Sequence, residues 1–238
     1  MTKPTTILSS LLPAAVAAAG CTSSAHPTSD SAPVDPRAVQ VGLVVRLDVK
    51  PGHETEVAQL LRDGQTLVAA EPGTTYWFAI QMGPTTFGIF DAFPAAPDRD
   101  AHLAGKLAQA LLAKAPDVLA QAPTIEKVDI VGKKDALAGP LRVGLLARLE
   151  AKPEHAVDVA TLMASVAAIV ADEPATEVWF GIQVSPTTYA IFDAFADAAG
   201  RDAHLAGKLA QTLVAQAPEL LAKPPVIEPV DLLATQVR

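Results

Sequence analysis

The chain has 238 residues, half of them hydrophobic and 18% charged, which is room for two domains of about 95 residues, each with its own small core. Eighteen basic against 26 acidic side chains give a net charge of −8, which excludes the electrostatic grip that nucleic acid or anionic lipid requires. A single cysteine excludes an internal disulfide, and no spacing of His, Cys, Asp and Glu forms a metal box, a phosphate loop or a nucleophile elbow.

The N-terminus opens with Lys3 and then an apolar run from Ile7 to Gly20, the pattern of an export signal. Ala18-Ala19-Gly20-Cys21 resembles a bacterial lipobox, with alanine where leucine is usual. Residues 1–20 are therefore expected to be a lipoprotein signal, with Cys21 as the lipidated first residue of an exported, envelope-anchored protein. Residues 21–39, rich in Ser, Pro, Thr and Asp, follow as a disordered tether. The alternative is a cytoplasmic protein with a frayed apolar N-terminus.

Beyond the tether, Gln40 to Val49 carries a near-continuous run of branched apolar residues and reads as a strand covered on both faces. Pro51-Gly52 ends it. Glu54 to Ala70 then places Val57, Leu60, Leu61, Leu67 and Val68 at helical spacing until Pro72-Gly73. Tyr76 to Met82 and Thr86 to Phe93 form a hairpin around Gly83-Pro84-Thr85. Asp98 to Lys114 reads as one helix, Pro116 to Leu119 as a further turn, and Thr124 to Val131 as the last strand. The order is βαββαβ, the ferredoxin-like arrangement in which a four-stranded antiparallel sheet carries both helices on one face.

All of this is written twice. Arg99 to Gln109, RDAHLAGKLAQ, returns unchanged at Arg201 to Gln211, and Ile89 to Phe93 returns as Ile191 to Phe195. Residues 40–133 and 142–235 are thus two copies of one α+β domain, joined by a linker over 134–141. Each sheet leaves its helix-free face apolar, so the two faces are expected to close on each other as an intrachain α+β barrel, a monomeric pseudo-dimer.

The first helices of the two copies agree only at core positions, whereas the second helix also keeps Arg99, Asp100, His102, Lys106 and Gln109. Helical spacing puts His102 and Lys106, and likewise His204 and Lys208, on one face. An unperturbed imidazole, with a pKa of about 6.5, suits a general base at neutral pH. Gly105, repeated as Gly207, costs about 1 kcal/mol within a helix and implies a close approach there. Asp91 and Asp193, set among Ile, Phe and Ala in a strand, need partners if buried. The following histidine is one choice, and a structural hydrogen bond to a loop is the other. Trp77 and Gln81, repeated as Trp179 and Gln183, alternate onto one strand face and could wall a pocket for a flat ligand or simply join the core.

The βαββαβ order, with its hairpin followed by an Ala-His-Leu helix, resembles the antibiotic biosynthesis monooxygenase-like family of dimeric α+β barrel proteins, here as a tandem duplication. That resemblance implies a monooxygenase without cofactor or metal, oxidising a phenolic or quinol-type small molecule with dioxygen. On this reading His102 and His204 are the bases, Asp91 and Asp193 orient them, and Trp77, Gln81, Lys106, Trp179, Gln183 and Lys208 contact the substrate. A sister group with this fold degrades haem with the help of an asparagine and a tryptophan. The chain has no asparagine, and Phe93 stands where the tryptophan is expected, leaving at most simple haem binding. The rival reading is a non-catalytic envelope lipoprotein that binds a small apolar ligand or a protein partner.

Overall fold

The computed structural model describes Asp35 and residues 37–238. The expected leader, Cys21 and most of the tether lie outside the described residues. The first half runs β1 (Val41–Asp48), α1 (Glu54–Val68), β2 (Tyr76–Gln81), β3 (Thr86–Phe93), α2 (Ala96–Leu103), α3 (Lys106–Val118) and β4 (Thr124–Asp135). The second runs β5 (Val143–Glu150), α4 (Ala156–Ala171), β6 (Val178–Gln183), β7 (Thr188–Phe195), α5 (Ala198–Leu205), α6 (Lys208–Leu220) and β8 (Val226–Val237). The Pro51-Gly52 turn that ends β1 needs the left-handed backbone of Gly52, at φ 92°.

Within each half the strands pair antiparallel in the ferredoxin-like order, β4-β1-β3-β2 and β8-β5-β7-β6. The halves then join edge to edge. β4 pairs with β6, with Lys133 opposite Phe180, and β2 pairs with β8, with Tyr76 opposite Val237, so all eight strands form one closed barrel. This is the expected α+β barrel, and edge pairing is what closes it.

Two elements differ from expectation. The last strand of the first copy, expected to stop at Val131, continues to Asp135 past a bulge between Ile130 and Gly132, because its far part has a partner strand in the other half. The single helix expected over Asp98 to Lys114 is two helices, broken at Ala104-Gly105, with α3 continuing through Pro116 to Val118. His102 therefore ends one helix and Lys106 begins the next, so the two do not share a helical face.

Strand alternation sorts the core into layers. Tyr76, Phe78, Phe90, Phe180 and Phe192 point into the barrel, and ring centroids 4.6 Å apart for Phe90 and Phe192 show the lumen to be filled with side chains. Leu43, Trp77, Ile89 and Phe93 face outward under α1 and α3, and Leu145, Trp179 and Ile191 stand at the corresponding places in the second half. The two tryptophans use different space. The Trp77 ring lies beside Gly64 of α1, whereas the Trp179 ring lies against Gly132 of β4 and Gly181 of β6.

A Cβ on Gly132 would sit 2.8 Å from the Trp179 ring. Gly132→Ala is accordingly expected to lose about 1–3 kcal/mol of stability. Gly139→Ala, where the same atom meets open space, should stay within about 0.5 kcal/mol of the parent. Urea unfolding of both variants checks this pair.

Candidate functional site

Because the lumen is packed, the polar groups available for chemistry lie on the other side of the sheet, beneath the helices. Asp91 of β3 stands opposite Trp77 of β2 on this outer face. α2 then crosses the end of the sheet and delivers His102 from its last turn, with the Phe93 ring centroid 5.3 Å from the imidazole. Both polar side chains are buried, Asp91 at 1% and His102 at 5% exposure. His102 Nε2 lies 3.4 Å from Asp91 Oδ2, an ion-pair distance.

The hydrogen bond that orients the ring comes from elsewhere. Glu71, in the turn after α1, places Oε2 2.6 Å from His102 Nδ1, and Thr74 Oγ1 donates to that same oxygen at 2.9 Å. Gly105 makes the approach feasible, since a Cβ there would collide with Glu71 Oε1. The close approach expected at Gly105 is thus a carboxylate. The second half repeats the arrangement: His204 Nδ1 lies 2.6 Å from Glu173 Oε2, its Nε2 lies 3.5 Å from Asp193 Oδ2, and Thr176 donates to Glu173. Sequence reasoning missed both glutamates, although Glu71-Pro72 returning as Glu173-Pro174 was the signal that could have found them.

Burial alone would lower the His102 pKa, but the charges of Asp91 and Glu71 outweigh it and push it up to about 9. At pH 7 the ring is an imidazolium, its basicity raised by the carboxylates on either side. Burial raises the Asp91 carboxyl, with the His102 charge only partly offsetting it, and burial lifts Asp193 to about 7. Asp91 Oδ1 and Trp77 Nε1 are buried without a hydrogen-bond partner, as are Asp193 Oδ1 and Trp179 Nε1. The sheet side of each histidine therefore keeps unused polar capacity.

The other expected site residues are dispersed. Trp77 and Trp179 are fully buried packing residues. Gln81 bonds the hairpin turn at Gly83 and Gln183 bonds Tyr189, so the Trp-Gln pocket wall is not assembled. Lys106 stands at the rim of a 440 Å³ pocket whose lining includes Glu71, Thr74, Asp98, His102 and Gly105. Lys208 opens α6 as Lys106 opens α3. In the second half a narrow apolar cleft of 60 Å³ between α6 and the sheet reaches Asp193 and His204. Among the described residues no cluster of three His, Cys, Asp or Glu side chains is arranged to hold a metal ion.

No family model matches the chain, and no curated protein does. Among solved structures, a candidate monooxygenase from Fusobacterium nucleatum superposes with a TM-score of 0.75 at 16% identity, covering 84% of this chain and 95% of its own. A ferredoxin-fold protein from Listeria monocytogenes, related to antibiotic biosynthesis monooxygenases, reaches 0.50 at 7% identity, covering 82% and 96%. A protein of unknown function from Nitrosomonas europaea is 44% identical over 41% of this chain and 95% of its own, with a TM-score of 0.41. The first two have the whole barrel in common with this chain.

The His102 shift has a consequence for folding. A folded-state pKa of about 9, against about 6.5 unfolded, contributes stability that is complete below pH 6.5 and is lost as pH rises through 9. Denaturant midpoints measured across that window should fall, and Glu71→Gln, which removes one of the two charges, should reduce the fall.

Proposed function

We propose that the chain, which belongs to the same family as the Nitrosomonas europaea protein and folds as a tandem of the antibiotic biosynthesis monooxygenase-related domain, is a cofactor-independent monooxygenase. Its substrate is a phenolic or quinol-type small molecule, oxidised with dioxygen. The observation that carries this reading is the buried imidazole held between two carboxylates in each half and bordered by a pocket or cleft. The names carried by the Fusobacterium nucleatum and Listeria monocytogenes proteins support the same reaction class. The apolar leader and Cys21 support a location in the cell envelope.

In this mechanism the substrate gives a proton to the Asp-His pair, and the resulting anion is held by the imidazolium in a water-poor pocket. The electron-rich anion passes one electron to dioxygen, and the two radicals recombine at carbon. One oxygen atom stays in the product as a carbonyl, the other leaves as water, and the substrate carbon loses two hydrogens. Glu71 and Glu173 fix the ring orientation throughout, by accepting the Nδ1 proton in a hydrogen bond.

Oxygen uptake with a panel of anthrone- and quinol-like substrates tests the proposal. A His102→Ala/His204→Ala double variant is expected to lose about 10²-fold or more of the rate. Equal uptake by both proteins removes the histidines from the mechanism, and no uptake by the parent favours a non-catalytic binding protein. With Asp193 titrating at about 7, the rate should climb as pH passes through that value and the carboxylate becomes able to accept a proton. Asp193→Asn should abolish that rise.

A further inference from the structure

The chain enters the two halves differently at one end of the barrel. The approach to β5 is the linker, which runs on directly from β4 and is held by Glu177, whose Oε2 accepts from the amides of Ala138 and Gly139 at 2.7 and 3.2 Å. The approach to β1 comes from the N-terminal segment and has no such continuity. Its residues Asp35, Arg37 and Val39 correspond to Leu137, Gly139 and Leu141 of the linker. Val39 packs on the aromatic core of the lumen, as Leu141 does. Asp35 and Arg37, by contrast, enter a cluster of charged side chains.

Asp135, at the end of β4, is the centre of that cluster. Its side chain is 7% exposed, and Oδ2 accepts from Arg37 Nη1 and from the Tyr76 hydroxyl, each at 2.6 Å. Lys133 Nζ donates to Asp35 Oδ2 and to the Arg37 carbonyl, both at 2.8 Å, and to the Tyr76 hydroxyl at 3.2 Å. Tyr76 stays a donor, because burial and the Asp135 charge hold its phenol pKa above the ordinary value. Tyr76 lies on β2 and Asp135 on β4, which are not neighbours in the barrel, so the cluster reaches across the barrel's end. The counterparts of Tyr76, Lys133 and Asp135 are Val178, Thr235 and Val237, which carry no charge. The second half folds the same way without such groups, so the fold itself does not require them. What distinguishes the first half is the incoming N-terminal segment.

We infer that Asp35 and residues 37–39 form a strap, clamped across the first-half end of the barrel by Asp135, Tyr76 and Lys133, which fixes the point where the N-terminal segment joins the barrel. Isolated exposed ion pairs contribute little to stability, but an acceptor this deeply buried makes release costly, since withdrawal of Arg37 strands the Asp135 charge. Lys133 and Asp135 also stand opposite Phe180 and Val178 of β6, so the strap is fastened at the seam between the halves. A pull on the N-terminal segment is then borne by β4, which pairs with both β1 and β6, and does not simply peel β1 away. The strap is independent of the monooxygenase reading.

Trypsin digestion of the full chain, followed by mass spectrometry, tests the inference, because Arg37 is the one tryptic site between Lys3 and Arg46. A clamped Arg37 is withheld from the protease, and cleavage after it is expected to be slower by about tenfold or more than in a free peptide of residues 30–44. Asp135→Asn keeps the side-chain shape and removes the charge, and should speed the cut at Arg37 by about tenfold or more while Arg62 and Lys114, within the helices, stay uncut. Should circular dichroism show Asp135→Asn unfolded, Asp35→Ala decides in its place, with a rise of about threefold or more expected relative to a peptide carrying the same substitution. A smaller protection of Arg37 in the parent, or a smaller rise in the deciding variant, would overturn the inference. So would cleavage that rises equally at Arg62 and Lys114, because Asp135 would then support the whole barrel and not the strap.

Discussion

Closure of the barrel is the constraint on which the rest of the molecule depends. Each half alone would leave two unpaired strand edges and an aromatic face containing Tyr76, Phe78 and Phe90, or Phe180 and Phe192, open to water. Pairing β4 with β6 and β2 with β8 removes every edge and brings the two faces together as one aromatic core. That solution uses up the interior. Any site must then lie on the outer surface of the sheet, where the helices cover it. Covalent fusion also frees the halves from identity, so Trp77 can rest beside Gly64 while Trp179 takes the space left by Gly132 and Gly181.

On that outer surface each half buries a histidine between two carboxylates, an arrangement that stability alone does not favour. Buried charges are costly even when paired, and Asp91 Oδ1 with Trp77 Nε1 is left unsatisfied in both copies. The helix break at Gly105 belongs to the same arrangement, because it lets the Glu71 carboxylate reach the ring from the loop side. The imidazole is thereby fixed on its Nδ1 edge and exposed to unfilled polar capacity on its Nε2 edge. A site that must bind a hydroxyl and move its proton has use for that asymmetry.

Much of the fold was legible in the sequence because strand alternation and turn residues act locally. The β2-β3 hairpin follows from its turn residues, and the shared face of Trp77 and Ala79 from period two; which side of the sheet that face takes comes from the fold. The break at Gly105 was hidden because Leu103, Leu107 and Leu111 keep a helical rhythm across it, and the cause is a carboxylate from 34 residues earlier in the chain. The end of β4 was hidden because Gly132-Lys133-Lys134-Asp135 looks like a polar loop until β6 of the other half supplies its partner. In the site, the Asp-His pairing was visible from residue type. Glu71 carries no periodic signal and was marked only by its return as Glu173, and its nearness to the His102 ring is something only the fold shows.

Nitrogen-15 NMR of the imidazole ring nitrogens in the full chain probes the buried clamp directly. The account requires that His102 carry protons on both nitrogens at pH 7 and lose one only near pH 9. A His102 ring that is already neutral at pH 7, titrating near the ordinary value of about 6.5, would contradict it.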